Sequence, residues 1–382
     1  MMLKGKSVIA LMMLFLLSSC AHDDTQDNVQ RSAFHSQCTY GSPVDFQILL
    51  AGNFGEPRPG HFHGGIDIKT QGVEGKSVYA IADGYVSRLT VNYYGFGNAI
   101  YVAHPDGNTS VYCHLQRFAD AYEALLSRTG CDTLNIELEP GQYPVTQGDL
   151  IAISGNTGHS TGPHLHLEMH DTETWALLDP LEFVGSFVAD TIPPLAYSLM
   201  AVPMQGEGVF CGDTARQTYS FGIDSIGDRQ TTLLSRKFTA WGRVGFALWA
   251  DDHAQNTHNY YGIRHTRLLV DGREVFRSDV NGLPADSQRD VRLWADVDHW
   301  RHHRRWYMRS FVPDTCARLP ILHTNRERGI VNFNEERPYA LTYILCDYYG
   351  NWSQYEFVVQ GVRDYRVPMR LNINNYIINH HD

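Results

Sequence analysis

Little in this sequence suits a membrane-spanning, nucleic-acid-binding or repeat protein. The apolar run at residues 8–17 falls short of the about 20 residues a helix needs to cross a bilayer. Basic residues are in deficit. Lys and Arg number 31 against 42 Asp and Glu, a formal net charge of −11, and such a balance does not attract a phosphate backbone, so no nucleic-acid partner is expected. No internal repeat recurs at a fixed period, and a repeat architecture is not expected either. Cysteine is sparse, with seven in 382 residues, and lacks the close pairs of a structural zinc site. Setting Cys20 aside leaves an even number, which permits disulfides in an exported chain without assigning them. The remaining cysteines are read as packing residues or bridges.

What is present begins with a targeting signal. Lys4 and Lys6 precede the apolar run, which ends in Leu17-Ser18-Ser19-Cys20, a basic–apolar–small pattern typical of exported chains. The ending resembles the lipobox of bacterial lipoproteins, in which the signal is removed before the cysteine and the cysteine is acylated. That resemblance implies a signal peptide at 1–19, lipidation of Cys20 and a polar tether over 20–37. Two or more acyl chains would anchor a domain stably to a membrane. The implied location is the bacterial cell envelope, at the outer membrane facing the periplasm. The chain is long enough for two domains, and a hydrophobic content of 43% supplies their cores.

The pattern predicts a mainly β protein divided near residue 190. Over residues 46–181, β-rich runs at 78–82, 85–91, 99–104, 110–115, 150–154 and 164–169 are separated by glycine turns, and several alternate apolar and polar residues as half-buried antiparallel strands do. Phe118, Tyr122, Leu125 and Leu126 share one helical face, which predicts an amphipathic helix over 118–128 between two strands. After Asp190-Thr191-Ile192-Pro193-Pro194, strands are expected at 241–250, 262–270, 340–346 and 354–359, with a hairpin at Asp271-Gly272. An immunoglobulin-like β-sandwich is expected for 191–361. It would serve a structural or targeting role dispensable for chemistry, and 362–382 would form a tail.

The chemistry lies in 38–190. His63-Gly64-Gly65-Ile66-Asp67 sets an imidazole and a carboxylate four residues apart, with glycines that let both side chains converge. Alone, such a pair is more often a turn or a surface hydrogen bond. His164-Leu165-His166-Leu167-Glu168 places two histidines on one strand face with leucines toward the core. Tyr112-Cys113-His114-Leu115 brings a further histidine from a neighbouring strand, again with alternating sides. Together these stretches describe one site better than three coincidences.

At this point the sequence resembles the M23 metallopeptidases of the lysostaphin and LytM type. Their His-x-x-x-Asp motif, later Tyr-x-His strand and final His-x-His strand occur here in order, within residues 46–183, along with a loop at Gly95-Phe96-Gly97-Asn98 and Arg58 ahead of the first motif. The resemblance implies an antiparallel LytM-type peptidase domain, zinc held by His63, Asp67 and His166, and His114 and His164 as catalytic histidines that do not bind the metal. It further implies a zinc endopeptidase acting on the peptides of peptidoglycan, with the inserted helix a departure from the shortest members. Three protein ligands leave a coordination position for water, whose pKa zinc lowers to roughly 7. His114 and His164 would then accept a proton or stabilise the oxyanion. Glu168, on the same face as His166, is either an orienting partner or an exposed carboxylate. The alternative function is a non-catalytic LytM-like envelope protein that binds peptidoglycan or activates another hydrolase. Of the remaining features, His61 fits the ligand spacing poorly. The run 299–306 reads as a solvated loop or edge with its tryptophans packed inward. Tyr93, Tyr94 and Phe96 either line the substrate groove or stabilise a turn.

Overall fold

The computed structural model describes residues 38–127, 133–221, 231–233, 236–314 and 316–367. The signal, Cys20, the tether and most of the tail lie outside them. Seven strands build the main antiparallel sheet of the first half: β1 (Leu50–Gly52), β2 (Ile66–Lys69), β3 (Gly84–Val91), β4 (Ala99–Ala103), β5 (Asn108–Cys113), β6 (Leu134–Glu137) and β7 (His164–Asp171). Their spatial order is β1-β2-β7-β5-β4-β3-β6. β7 is paired on both sides, by β2 and β5, and its period-2 pattern sorts its two faces. Leu165, Leu167 and Met169 are fully buried on one face, and His164, His166, Glu168 and His170 occupy the other. Across the apolar face lies a three-stranded sheet of Ser77–Tyr79, Leu150–Ser154 and Leu115–Phe118, which adds Val78, Ile151, Ala152, Leu115 and Phe118 to the same core. Apart from Ala152, each such side chain contributes about 1.5–3 kcal/mol of burial. The inserted helix, α1 (Asp120–Leu126), buries Tyr122, and its Glu123 carboxylate accepts the Phe118 N–H at 2.8 Å.

The second half is also β-rich. Its principal strands are β8 (Leu195–Phe210), β9 (Phe238–Asp251), β10 (His265–Val270), β11 (Arg273–Asp279), β12 (Pro338–Cys346) and β13 (Trp352–Gly361). The Asp271-Gly272 hairpin forms as expected, both residues having positive φ, 50° and 76°, as a tight hairpin turn demands. The sandwich expectation meets a different connectivity. The described strands hydrogen-bond into one sheet with the order β8-β9-β13-β12-β10-β11, in which β9 and β13 pair in parallel. A register shift between Pro203 and Gly208 lets the long β8 follow β9 along most of its length. The run 299–306 departs from the expected loop or edge: residues Val297–His303 form a short helix capped by Asp296, with Trp300 stacked on Trp306 at 4.8 Å.

Each half has its own core, and a few residues cross between them. Leu177–Leu178 pairs with Gly282–Leu283, so a strand from the second half extends the main sheet. Phe54, Phe62 and Leu177 belong to the core of the second half, and Ala254 and Tyr261 to that of the first. Polar contacts reinforce the joint. The Asn53 side chain both donates to the Gly262 carbonyl (2.8 Å) and accepts from its N–H (2.9 Å), and Arg264 pairs with Asp179 and Glu182.

Candidate metal centre

Strand register creates the cluster. Asp67 on β2 stands directly opposite His166 on β7, and Cys113, the last residue of β5, stands opposite His166 on its other side. His63 reaches in from the loop before β2, where its backbone is pinned by bonds from Gly55 N–H to its carbonyl (2.8 Å) and from its own N–H to Glu56 (2.9 Å). Glycine is required inside that loop, because a Cβ at Gly65 would lie 2.1 Å from the Leu167 carbonyl oxygen. The loop therefore lies flat on β7, and His63 Nε2, Asp67 Oδ1 and His166 Nδ1 converge at mutual distances of 2.8–3.1 Å.

The outward atoms of these three side chains are already engaged, which fixes what faces inward. His63 Nδ1 donates to the Asn53 carbonyl at 2.6 Å, leaving the Nε2 lone pair in the cluster. His166 Nε2 donates to Glu168 Oε1 at 3.0 Å, leaving Nδ1. Arg58 takes Asp67 Oδ2 at 2.6 Å, leaving Oδ1 as a single inward oxygen. Two imidazole nitrogens and one carboxylate oxygen, all three residues at most 6% exposed, are a donor set that suits tetrahedral zinc with one position open.

The same geometry perturbs the ionisable groups. Burial would raise the Asp67 carboxyl, but the imidazoles of His63, His164 and His166 outweigh it and hold it well below the usual range. Burial would likewise discharge His166, yet its bonds to Asp67 and Glu168 raise it to about 9. The two flanking carboxylates thus favour the protonated ring, against which a metal would compete for Nδ1.

His114 and His164 flank the cluster without joining it. Alternation along β5 would send His114 to the core side with Tyr112, which is fully buried there. The chain instead takes a left-handed turn at His114, φ 61°, and the ring comes to 5.7 Å from that of His166 and 4.8 Å from that of His164. A non-glycine residue in this region costs on the order of 1–2 kcal/mol; here it is held by bonds from its N–H to Phe96 and from Nδ1 to the Thr157 carbonyl, both 2.8 Å. Burial, then the nearby His166 and His164, depress His114 to about 4, so it is neutral at physiological pH. His164 Nδ1 donates to the Gly162 carbonyl at 2.8 Å, and its Nε2 stands 3.4 Å from Asp67 Oδ1.

Glu168 is not the exposed carboxylate that the sequence left open. It is 2% exposed and bridges His166 and His170, with Oε2 2.7 Å from His170 Nε2. His61 is exposed and lies outside the cluster. Phe96 stacks on His166 with ring centroids 5.9 Å apart, whereas Tyr93 and Tyr94 are 67% and 80% exposed on the adjoining loop. Sequence reasoning missed Asn53 and His170. The period-2 run His164, His166, Glu168, His170 carried a signal for the second; a backbone carbonyl leaves none for the first. Cys113 is buried beside Val111 and Phe96, and Cys38, Cys113, Cys211 and Cys316 are free thiols, which favours the packing reading over bridges.

The chain has relatives among known proteins. Residues 61–125 match the sequence profile of Peptidase family M23. The chain is 34% identical over 106 residues to the DD-carboxypeptidase/endopeptidase Mpg of Neisseria meningitidis serogroup B, a match covering 28% of this chain and 19% of that protein. It is 32% identical over 155 residues to the peptidoglycan DD-endopeptidase ShyA of Vibrio cholerae, covering 39% of this chain and 29% of that protein. It therefore spans less than a third of the length of either relative. Among solved structures, the catalytic domain of lysostaphin from Staphylococcus simulans aligns at 26% identity over 36% of this chain and 91% of that domain, with a TM-score of 0.28.

Proposed function

We propose that the chain, whose residues 61–125 match the sequence profile of Peptidase family M23, is a zinc-dependent endopeptidase that hydrolyses peptide bonds in the stems or crossbridges of peptidoglycan. The observation that carries this reading is the convergence of His63 Nε2, Asp67 Oδ1 and His166 Nδ1 with their outward atoms already engaged. These three residues would hold the zinc. When bound, zinc supplies Lewis acidity, lowering the pKa of a water to roughly 7 and polarising the scissile carbonyl.

The other side chains do the rest. Arg58 restricts Asp67 to one ligating oxygen, and Glu168 holds the His166 ring in the tautomer that presents Nδ1. His114 and His164 each spend Nδ1–H on a backbone carbonyl, so each keeps an Nε2 lone pair beside the cluster. Either of them would take the proton of the attacking water on Nε2, hydrogen-bond the oxyanion as the imidazolium so formed, and pass that same proton to the leaving amine. Exposed Tyr93 and Tyr94 offer an aromatic wall for the substrate peptide. Acylation of Cys20 would hold the enzyme at the cell envelope, facing its substrate from the outer membrane.

The test is mass analysis of the products after zinc-loaded soluble protein is incubated with purified peptidoglycan. Newly freed peptide termini are expected. Intact peptidoglycan, with zinc still bound to the protein, would favour the non-catalytic alternative, against which the complete set of donors and flanking histidines stands.

A further inference from the structure

Three carboxylates meet far along the chain from the histidine cluster, where the two halves join. Asp190 lies on the connecting segment, Asp252 follows β9 and Asp347 follows β12, and each offers an oxygen within 4.8 Å of the other two. Asp252 and Asp347 are buried, and Asp190 is half-buried. No ion pair compensates them among the described residues. Arg264, which lines the same pocket as Asp190 and Asp252, is occupied by Asp179 and Glu182. Some oxygens have donors: Ile192 N–H reaches Asp190 Oδ1 at 2.9 Å, and Asn351 donates its backbone N–H to Asp347 Oδ1 (2.8 Å) and its amide to Oδ2 (2.7 Å). Asp252 Oδ1 has none among the described residues, although the residue is only 6% exposed.

Buried charges are normally paired or bound to a metal, and an enclosed carboxylate oxygen with no partner points to a ligand that supplies positive charge. Burial and the neighbouring Asp347 and Asp190 push the Asp252 carboxyl well above its usual range, as expected of a cluster lacking its counter-charge. We propose that Asp190, Asp252 and Asp347 form a binding site for a hard divalent cation, calcium, at the junction of the two halves. The donors are all oxygen, with no imidazole or thiol, which selects against zinc and toward calcium or magnesium. They come from three separate connecting segments, and such irregular placement suits the flexible shell of calcium better than the strict octahedron of magnesium. The cation would fasten the linker to the ends of β9 and β12. The same pocket is lined by Leu50, Asn53 and Tyr261, so the fastening bears on the loop that carries His63.

The site stands apart from the peptidase reading and is tested apart from it. Zinc-loaded full-length protein is titrated with calcium chloride by calorimetry, with thermal melts in parallel. Saturable binding is expected with a Kd on the order of 10⁻⁴–10⁻³ M, as in extracellular calcium modules, with magnesium weaker. Calcium should raise the melting temperature while the zinc content stays constant. Asp252→Asn should weaken calcium binding at least about tenfold, roughly the effect of losing one charged ligand. Asp190→Asn, at the half-buried position, gives the same readout should Asp252→Asn fail to fold. His166→Ala should bind calcium as the wild type does. Absence of saturable calcium binding by the wild-type protein, or unchanged binding in folded Asp252→Asn and Asp190→Asn, would overturn the proposal.

Discussion

Replacing Glu168 with glutamine exchanges one oxygen for an amide nitrogen, removes a buried charge and leaves the volume nearly unchanged. In the wild-type protein the carboxylate lies 3.0 Å from His166 Nε2 and 2.7 Å from His170 Nε2. A hydrogen bond to a charged group contributes about 1.5–3 kcal/mol and a neutral one about 0.5–1.5 kcal/mol, so the exchange weakens the hold on His166 by roughly 1–2 kcal/mol. With about 1.4 kcal/mol to each factor of ten, zinc affinity should fall about 5- to 30-fold. That overlaps the about 10–100-fold cost of losing the outer partner of a metal-bound histidine. Folding should survive, because the amide can still accept from His166 and donate to His170. Glu168→Ala instead leaves two buried ring N–H groups without acceptors and should also lower stability, by about 1–3 kcal/mol for each. The assay is competition for zinc against a chromophoric chelator at fixed pH. Wild-type zinc affinity in folded Glu168→Gln would refute the claim that Glu168 positions His166.

His164→Ala should keep zinc and lose about 10²–10⁴-fold in peptidoglycan cleavage, whereas His166→Ala should lose the metal; elemental analysis beside the cleavage assay checks both, and loss of zinc from His164→Ala would end the division of labour. A fragment ending at residue 190 exposes Phe54, Phe62 and Leu177, each worth about 1.5–3 kcal/mol of burial, so it should melt well below the full-length protein. An unchanged melting temperature would mean that the shared cores contribute little. Burial lowers His104 below its usual value, with Nδ1 bonded to the Asp83 carbonyl and Nε2 to Ser110. The folded state then favours the neutral ring, so its contribution is complete above about pH 6.5 and is lost as the pH falls through the depressed folded value. Denaturant melts between pH 7.5 and 5 should show a shallower acid-side decline for His104→Gln, and identical slopes would remove His104 from the account. Metabolic labelling with a fatty-acid probe should tag the wild type and spare Cys20→Ala; equal labelling of both would remove the lipid anchor.

The strands were legible because alternation is a local property. His164 to Met169 could be assigned face by face from sequence, and the structure keeps that assignment. The Asp271-Gly272 hairpin was legible for the same reason, since its positive φ values belong to those two residue types. His114 was found by its motif but misread in its geometry, because alternation along a strand cannot reveal the left-handed residue that turns its ring toward the site. Glu168 stayed ambiguous because burial of the polar face of β7 depends on the loop carrying Gly64 and on Gln288, which comes from the far half of the chain. Each side of residue 190 has a core largely its own, but a few residues cross, Leu177 joining one core and Tyr261 the other, and no local pattern announces them. The acidic trio was invisible for a related reason, its members being spread over more than 150 positions with no spacing to connect them.

The brace on His63 sets a timetable for the molecule's own manufacture. Asn53, whose carbonyl fixes the imidazole, is itself clasped by Gly262, 209 positions downstream. A polypeptide made from its N-terminus brings out all three donor residues well before that clasp exists. The His63 loop's bonds to Gly55 and Glu56 are local, but the clasp on Asn53 must wait until the distal half has been synthesised and has docked. If the proposed cleavage of peptidoglycan is its activity, such a delay is protective, because the nascent chain then lacks the brace on His63 until its distal half has docked.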